Sequence, residues 1–362
     1  MKRIVVKIGT YSICDKNGVP SKEKISAIGT QVAKILRAGN QVILVSSGAV
    51  GAGASVMLNG KIPKTMALKQ ACAAIGQPIL MSLYRQFFEF YNINVAQILL
   101  TSDVVKMRER FINARNTINT LLSKKILPIV NENDTVSIDE IKFGDNDNLA
   151  VNTAVISDSD ICIILSDTDG LYKNYGTDSQ ERIKIVEKID DKIRSFIIKK
   201  PGSLSTGGME SKINAAEKSI KMGIKFVILG SKTPDGLIRY LINNEDLGTT
   251  FVPEEKIASK KKWLFLITHN PKGQIYIDEG AFLALKNYKS LLPAGVLDIS
   301  GSFKKGDAVR IIFNANEIGR GISKYSSEEL KLIKKNPSSN IEKILGYTNG
   351  DEIIHRDDII IA

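Results

Sequence analysis

Two lysines set among glycine-rich turns are the residues of this chain with the clearest chemical use. Lys7 stands in Lys7-Ile8-Gly9-Thr10, within and just past an apolar run, and Lys212 closes the stretch Ser205-Thr206-Gly207-Gly208-Met209-Glu210-Ser211-Lys212 ahead of a helical pattern. A glycine-rich turn that leads into a helix offers unpaired backbone N–H groups and the positive end of the helix dipole, which suits phosphate or carboxylate. Phosphoryl transfer asks a protein mainly for positioning and for positive charge around the transferred group. A single lysine at such a turn is most often a surface residue, but two of them among three glycine-rich turns favour the phosphate reading. The third turn, Ser46-Ser47-Gly48-Ala49-Val50-Gly51-Ala52-Gly53, fits either an anion site or a close helix–strand contact. Neither G-x-x-x-x-G-K-[ST] nor G-x-G-x-x-G occurs, so neither standard nucleotide fingerprint applies.

Two polar loops complete the set: Asn131-Glu132-Asn133-Asp134 after an apolar run, and Asp145-Asn146-Asp147-Asn148 between Gly144 and a helical run. Asn and Asp gather at helix entrances because they bond local backbone, so the second loop reads as a cap or as a polar site. It is not an EF-hand, since Leu149, Ala150 and Ile156 fall where two oxygen ligands and a glycine are required. Amide and carboxylate groups together suit a small zwitterion, whose ammonium wants an acid and whose carboxylate wants N–H donors. The chain has only His269 and His355, with no Ser-His-Asp or Cys-His constellation, so nucleophilic hydrolase and histidine-based metal readings lack their residues.

The elements that must hold these loops follow from periodicity. "RIVVKIG", "QVILVSS", "INVAQILL", "KILPIVNEN", "DICIILSD" and "KFVILGS" read as strands, with helical patterns between them such as the one opened by Ser21 and ended by Gly39. The expected fold class is α/β, a mostly parallel sheet sandwiched by helices, in which ligands bind at the carboxyl ends of strands. Residues 1–252 form this domain, the charged stretch 253–262 a linker, and 263–362 a small mainly-β domain with the strand-like runs "WLFLIT", "GQIYIDEG", "AVRIIF" and "DIIIA". No apolar run is long enough to span a bilayer, and the start lacks a signal-peptide core, so the expectation is a cytoplasmic protein with no membrane association. Cys14, Cys72 and Cys162 are odd in number and widely spaced, which indicates neither disulfides nor zinc. The net charge is +11, but residues 263–362 hold 13 Lys+Arg against 12 Asp+Glu, so the excess sits on the first domain, where Lys-rich helix surface accounts for much of it.

Taken in order, KIGT, VSSGAVGAG, NENDTV, KFGDNDNLA, SDTDGLY and STGGMESK resemble the glutamate 5-kinase branch of the amino-acid kinase family, and the C-terminal part resembles its PUA domain through "SLLPAGVLDISGSFKKGDAVRI", "GRGISKYSSEEL" and "ILGY". The resemblance covers nearly the whole chain. It implies the amino-acid kinase fold, transfer of the ATP γ-phosphoryl group to the side-chain carboxylate of L-glutamate, and magnesium with the nucleotide. It further implies that Lys7 and Lys212 contact phosphate, that Asp147 lies at the reaction centre, and that Ser47, Asp134 and Asn146 bind glutamate. Ser166, Asp167 and the run Thr206, Gly207, Gly208, Met209, Glu210, Ser211, Lys212 match nucleotide-binding positions, Lys7 among them. Tyr11 stands where the family usually has a small residue, and Ser166 and Ser211 where threonine is common. The family also implies homo-oligomers, dimeric or tetrameric, and proline as a feedback inhibitor. PUA modules bind RNA in modification enzymes, although the near-neutral C-terminal charge offers no basic surface for it. Competing expectations are a kinase of N-acetylglutamate or aspartate, which Asp134 disfavours because an acetylated amine needs no acid, and an RNA-binding regulatory protein, which the retained Lys7, Asp147 and Lys212 disfavour.

Overall fold

The structure is a computed structural model that describes residues 1–15, 18–105, 107–136, 146–197, 208–253 and 271–361. It divides into two compact units, Met1–Ile257 and Ala258–Ala362. Of the expected linker only Pro253 is described, and the strand expected at 263–268 lies outside the described residues.

In the first unit the strands are β1 (Arg3–Ile8), β2 (Gln41–Ser46), β3 (Val95–Leu100), β4 (Leu127–Glu132), β5 (Ile161–Ser166), β6 (Leu171–Lys173), β7 (Glu181–Ile183), β8 (Ile185–Val186), β9 (Lys225–Gly230) and β10 (Thr249–Phe251). The helices are α1 (Thr10–Ile13), α2 (Lys22–Arg37), α3 (Ala49–Met57), α4 (Met66–Glu89), α5 (Arg108–Ser123), α6 (Asn146–Ile156), α7 (Asp191–Ser195), α8 (Met209–Lys221) and α9 (Gly236–Leu241). All six strands expected here are present. The sheet runs β3-β4-β2-β1-β5-β9-β10-β8. It is parallel from β3 to β9, with β10 antiparallel to β9. The short β8 and β10 and the separate β6–β7 hairpin, two or three residues each, carry too little pattern to be read from the sequence.

β1 is the hinge of this topology, because the chain builds outward to β2, β4 and β3 on one side and to β5 and β9 on the other. Such a reversal opens a crevice at the strand carboxyl ends. Strand alternation sorts its side chains. Ile4, Val6 and Ile8 pack with α2, α4 and α9 through Ile25, Ile28, Val32, Leu80, Phe88 and Leu237, whereas Val5 and Lys7 point to the opposite face, where α6 packs. α6 is buried along almost its whole length, from Asp147 to Ile156, so it has no polar face and sits as the inner helix between sheet and α8. Ser21 caps α2 by accepting from Lys24 N at 3.3 Å, and Gly39 at φ 82° ends the turn after it, as the spacing predicts.

The second unit is a five-stranded sheet in the order β12-β11-β13-β14-β15, with β11 (Gly273–Ile277), β12 (Val296–Gly301), β13 (Ala308–Phe313), β14 (Asn316–Ile322) and β15 (Ile359–Ile361). Its core joins Ile275, Val296, Val309 and Ile311 to Tyr325, Leu330 and Ile341 from the covering segments. Ser326 and Glu329 form a reciprocal capping box on the helix Ser327–Ile333. β11, β13 and β15 are the expected runs. β12 and β14, the latter interrupted by Gly319 and Gly321, lack a continuous apolar run and are not foreseen by it. Among the described residues no helix is long and apolar enough to cross a membrane.

Candidate active site

Alternation along β1 aims Lys7 at the first turn of α6, and there it meets Asp147. Lys7 Nζ lies 2.7 Å from Asp147 Oδ1, and Lys212 Nζ, from the first turn of α8, lies 3.5 Å from Oδ2. The carboxylate is fully buried, and the two lysines are only 7% and 6% exposed. The helix N-terminus favours the Asp147 charge, whereas it disfavours a cation. Neither Asp147 oxygen receives a well-angled hydrogen bond among the described residues, which makes both contacts ionic. Two ammonium groups meet one carboxylate in a poorly solvated place. Such a place prefers an anion.

Asn146 organises the neighbouring loops. Its side-chain amide donates to Ser46 O at 3.1 Å and to Ser47 Oγ at 2.8 Å, with Asn131 Oδ1 at 3.5 Å. The ends of β2, β4 and α6 are thus tied together, and Ser47 and Asn146 meet as the sequence expects. Asn146 and Asp147 spend their side chains on these contacts and not on capping α6; Asp145, the remaining capping candidate, lies outside the described residues. Beneath them the Tyr84 hydroxyl, on α4, sits 2.9 Å from Ser46 Oγ. Tyr84 is fully buried, which pushes its phenol well above the ordinary range. Nothing in the sequence singles it out, since it lies on the apolar stripe of a long helix.

Asp134 occupies the loop after β4, and burial alone pushes its carboxyl up to about 6. No ion pair to it is seen among the described residues. If Asp134 takes the ammonium of a substrate, as the sequence expects, kcat/KM should fall about tenfold per pH unit below about 6, because protonation removes that partner. The stability effect has the opposite sign. A raised folded-state pKa means that this group favours the fold most below the unfolded pKa and loses that contribution as pH rises through about 6. Asp134→Asn is therefore expected to raise KM for the amine substrate about a hundredfold while raising Tm at pH 8; a lowered Tm, or an unchanged KM, would remove Asp134 from the site.

The turn at Ser47 to Gly53 resolves into two functions. Gly48, at φ 101°, holds the left-handed conformation that starts α3. Gly53 and Gly76 instead bring α3 and α4 into contact, since an added Cβ would lie 1.8 Å from Cys72 O and Ala49 O respectively. Most of this motif thus serves packing. Gly53→Ala is expected to cost about 3 kcal/mol and to lower Tm by roughly 5–10 °C, read by calorimetry, while leaving substrate KM values near those of the parent.

Ser166 ends β5, and its Oγ donates to Asp167 Oδ1 at 3.0 Å. Gly208 precedes α8, and Met209, Glu210 and Ser211 occupy its first turn with Lys212. Thr206 and Gly207 lie outside the described residues. The carboxyl edge of the sheet therefore gathers Lys7, Ser47, Ser166, Asp167 and the α6 and α8 entrances.

Residues 2–230 match the model of the amino acid kinase family, and residues 273–345 match the PUA domain. This chain is a member of the amino acid kinase family. It is 42% identical to a glutamate 5-kinase of Dictyoglomus thermophilum over 99% of this chain and 97% of that one. It is likewise 42% identical to a glutamate 5-kinase of Thermoanaerobacter sp. strain X514, over 99% and 97%. Among solved structures, a Giardia carbamate kinase aligns with a TM-score of 0.51 at 17% identity, covering 70% of this chain and 99% of that one, and shares the fold of the kinase unit.

Proposed function

We propose that the chain is an ATP-dependent glutamate 5-kinase that transfers the γ-phosphoryl group to the side-chain carboxylate of L-glutamate, giving L-glutamyl 5-phosphate and ADP, the first step of proline biosynthesis. The observation that carries the chemistry is the buried Lys7–Asp147–Lys212 cluster at the point where the sheet reverses its winding. The near-full-length relatives support glutamate as the acceptor.

An acceptor carboxylate is already ionised at neutral pH, so no general base is required. One of its oxygens forms the new bond to the γ-phosphorus as the bond to the β–γ bridging oxygen breaks, and ADP leaves with that electron pair. Negative charge on the transferred group and leaving oxygen is met by Lys7 and Lys212, whose desolvated ammonium groups act more strongly than they would in water. Asp147 keeps the two cations together and aimed at one point. Ser47 and Asn146 orient the acceptor, and Asp134 takes its ammonium. Ser166, Asp167 and the segment from Thr206 to Lys212 hold the nucleotide.

Magnesium fits this donor set as a partner of the nucleotide. Among the described residues no three His, Cys, Asp or Glu side chains cluster as a cage, and Asp147 is shared with two lysines, so the phosphates themselves and water would supply most of the coordination. When bound, the ion neutralises phosphate charge, and Asp147 is the residue of the cluster that would face it. A cytoplasmic setting suits the three buried free thiols Cys14, Cys72 and Cys162. Assembly of kinase units into dimers or tetramers, and inhibition by proline, belong to the same proposal and are tested by light scattering and by proline titration.

The deciding experiment incubates the protein with ATP, magnesium and hydroxylamine, which traps acyl phosphates, and with L-glutamate, N-acetylglutamate and L-aspartate in parallel. Hydroxamate from L-glutamate alone is expected. Hydroxamate only from another acid overturns the substrate, and none from any acid, in folded protein, overturns the activity.

A further inference from the structure

Tyr11 is an exposed aromatic side chain, 52% accessible, four residues past Lys7 at the start of α1. Its ring has two lysine neighbours, with Lys24 Nζ and Lys232 Nζ each 5.3 Å from the centroid. Lys24 is occupied elsewhere, since its ammonium donates to the carbonyls of Tyr11 and Cys14 and so closes the end of α1. Lys232 has a different setting. It follows β9 in a loop pinned to β5 by Ser231 N donating to Ser166 O at 2.7 Å, its ammonium lies over the Tyr11 ring, and Asp167 is among the groups that favour its charge. The β5–β9 register pairs Ser166 with Gly230, so Lys232 lies just beyond the carboxyl end of β5. Tyr11 reaches it from β1, the strand on the other side of β5.

An exposed lysine on an exposed ring contributes little to stability. Its position is the informative part. The nucleotide side of the proposed site lies at Ser166, Asp167 and the start of α8, where the Asp167 carboxylate would repel an incoming polyphosphate unless a cation offsets it. We infer that Lys232 is a further nucleotide-binding cation, offsetting Asp167 and meeting the phosphates of ATP, and that Tyr11 is the residue that positions it. The inference rests on the kinase reading for the identity of the ligand, but its test does not depend on the acceptor. The two lysines at Asp147 act on the transferred group, whereas Lys232, outside that buried cluster, acts on binding.

The test measures the Kd of AMP-PNP with magnesium by calorimetry, without glutamate, for the wild type, Lys232→Met, Tyr11→Ala and the double variant. Lys232→Met and Tyr11→Ala are each expected to weaken binding about tenfold, with a shallower salt dependence, unchanged Tm and unchanged KM for the acceptor. The double variant should be no weaker than Lys232→Met alone, because the tyrosine acts through the lysine. A Kd within twofold of wild type for Lys232→Met overturns the binding role. A normal Kd for Tyr11→Ala, or additive losses in the double variant, overturns the positioning role. Wild-type protein that binds AMP-PNP yet forms no hydroxamate defeats the proposed activity and leaves these comparisons decisive for Lys232.

Discussion

Lys212→Ala should lower kcat about a thousandfold while the protein remains folded. Lys212 is one of two ammonium groups on Asp147, and its removal leaves that carboxylate with Lys7 at 2.7 Å, so the buried charge retains a partner. On the proposed mechanism what is lost is a desolvated donor to the transferred group, and removing one such donor from a preorganised site costs about 10²–10³ in kcat. The measurement is hydroxamate turnover at saturating ATP and glutamate, with Tm in parallel. Lys212→Arg should rescue little, because a planar guanidinium cannot replace a compact ammonium between a carboxylate and a phosphate. Turnover near that of the wild type would take Lys212 out of the mechanism.

Asp147→Ala carries a second kind of loss. The change leaves two nearly buried ammonium groups without their shared counter-charge, and breaking a buried ion pair in this way costs about 3–5 kcal/mol. For a unit of this size that corresponds to a Tm lower by roughly 10 °C. Turnover should fall by more than about a thousandfold, since both cations lose their aim. A signature separates this account from simple loss of packing: inorganic phosphate or ADP should raise Tm more in Asp147→Ala than in the wild type, because an anion can replace the missing charge. A variant as stable as the wild type, or one indifferent to phosphate, would show that Asp147 does not organise the lysines.

Much of the kinase unit was legible because parallel strands buried on both faces leave long apolar runs, and RIVVKIG or DICIILSD need no context to be read. The candidate residues Lys7, Ser47, Asn146 and Asp147 stand out in the sequence because polar groups at strand ends are where such folds place their chemistry, and the structure brings the four together; their roles belong to the proposal. The glycines of the third turn were not separable in advance. Only the folded backbone distinguishes Gly48, which needs a left-handed conformation, from Gly53, which needs the absence of a Cβ. Tyr84 was invisible because a hydroxyl that holds a loop from below looks, in sequence, like one more residue of a buried stripe. The short β8 and β10 and the glycine-interrupted β14 were missed because they owe their existence to neighbouring strands and not to their own composition.

The reversal of winding at β1 has a wider consequence. On the proposed function, acceptor-side residues come from the loops after β2 and β4, nucleotide-side residues from the ends of β5 and β9, and β1 with α6 and α8 stands between them. The two halves thus descend from different stretches of chain that share a seam but no loop. One donor-handling half can then be joined to acceptor halves of different shape, so that a lineage can exchange the molecule it phosphorylates by rewriting two loops while its energy source stays the same.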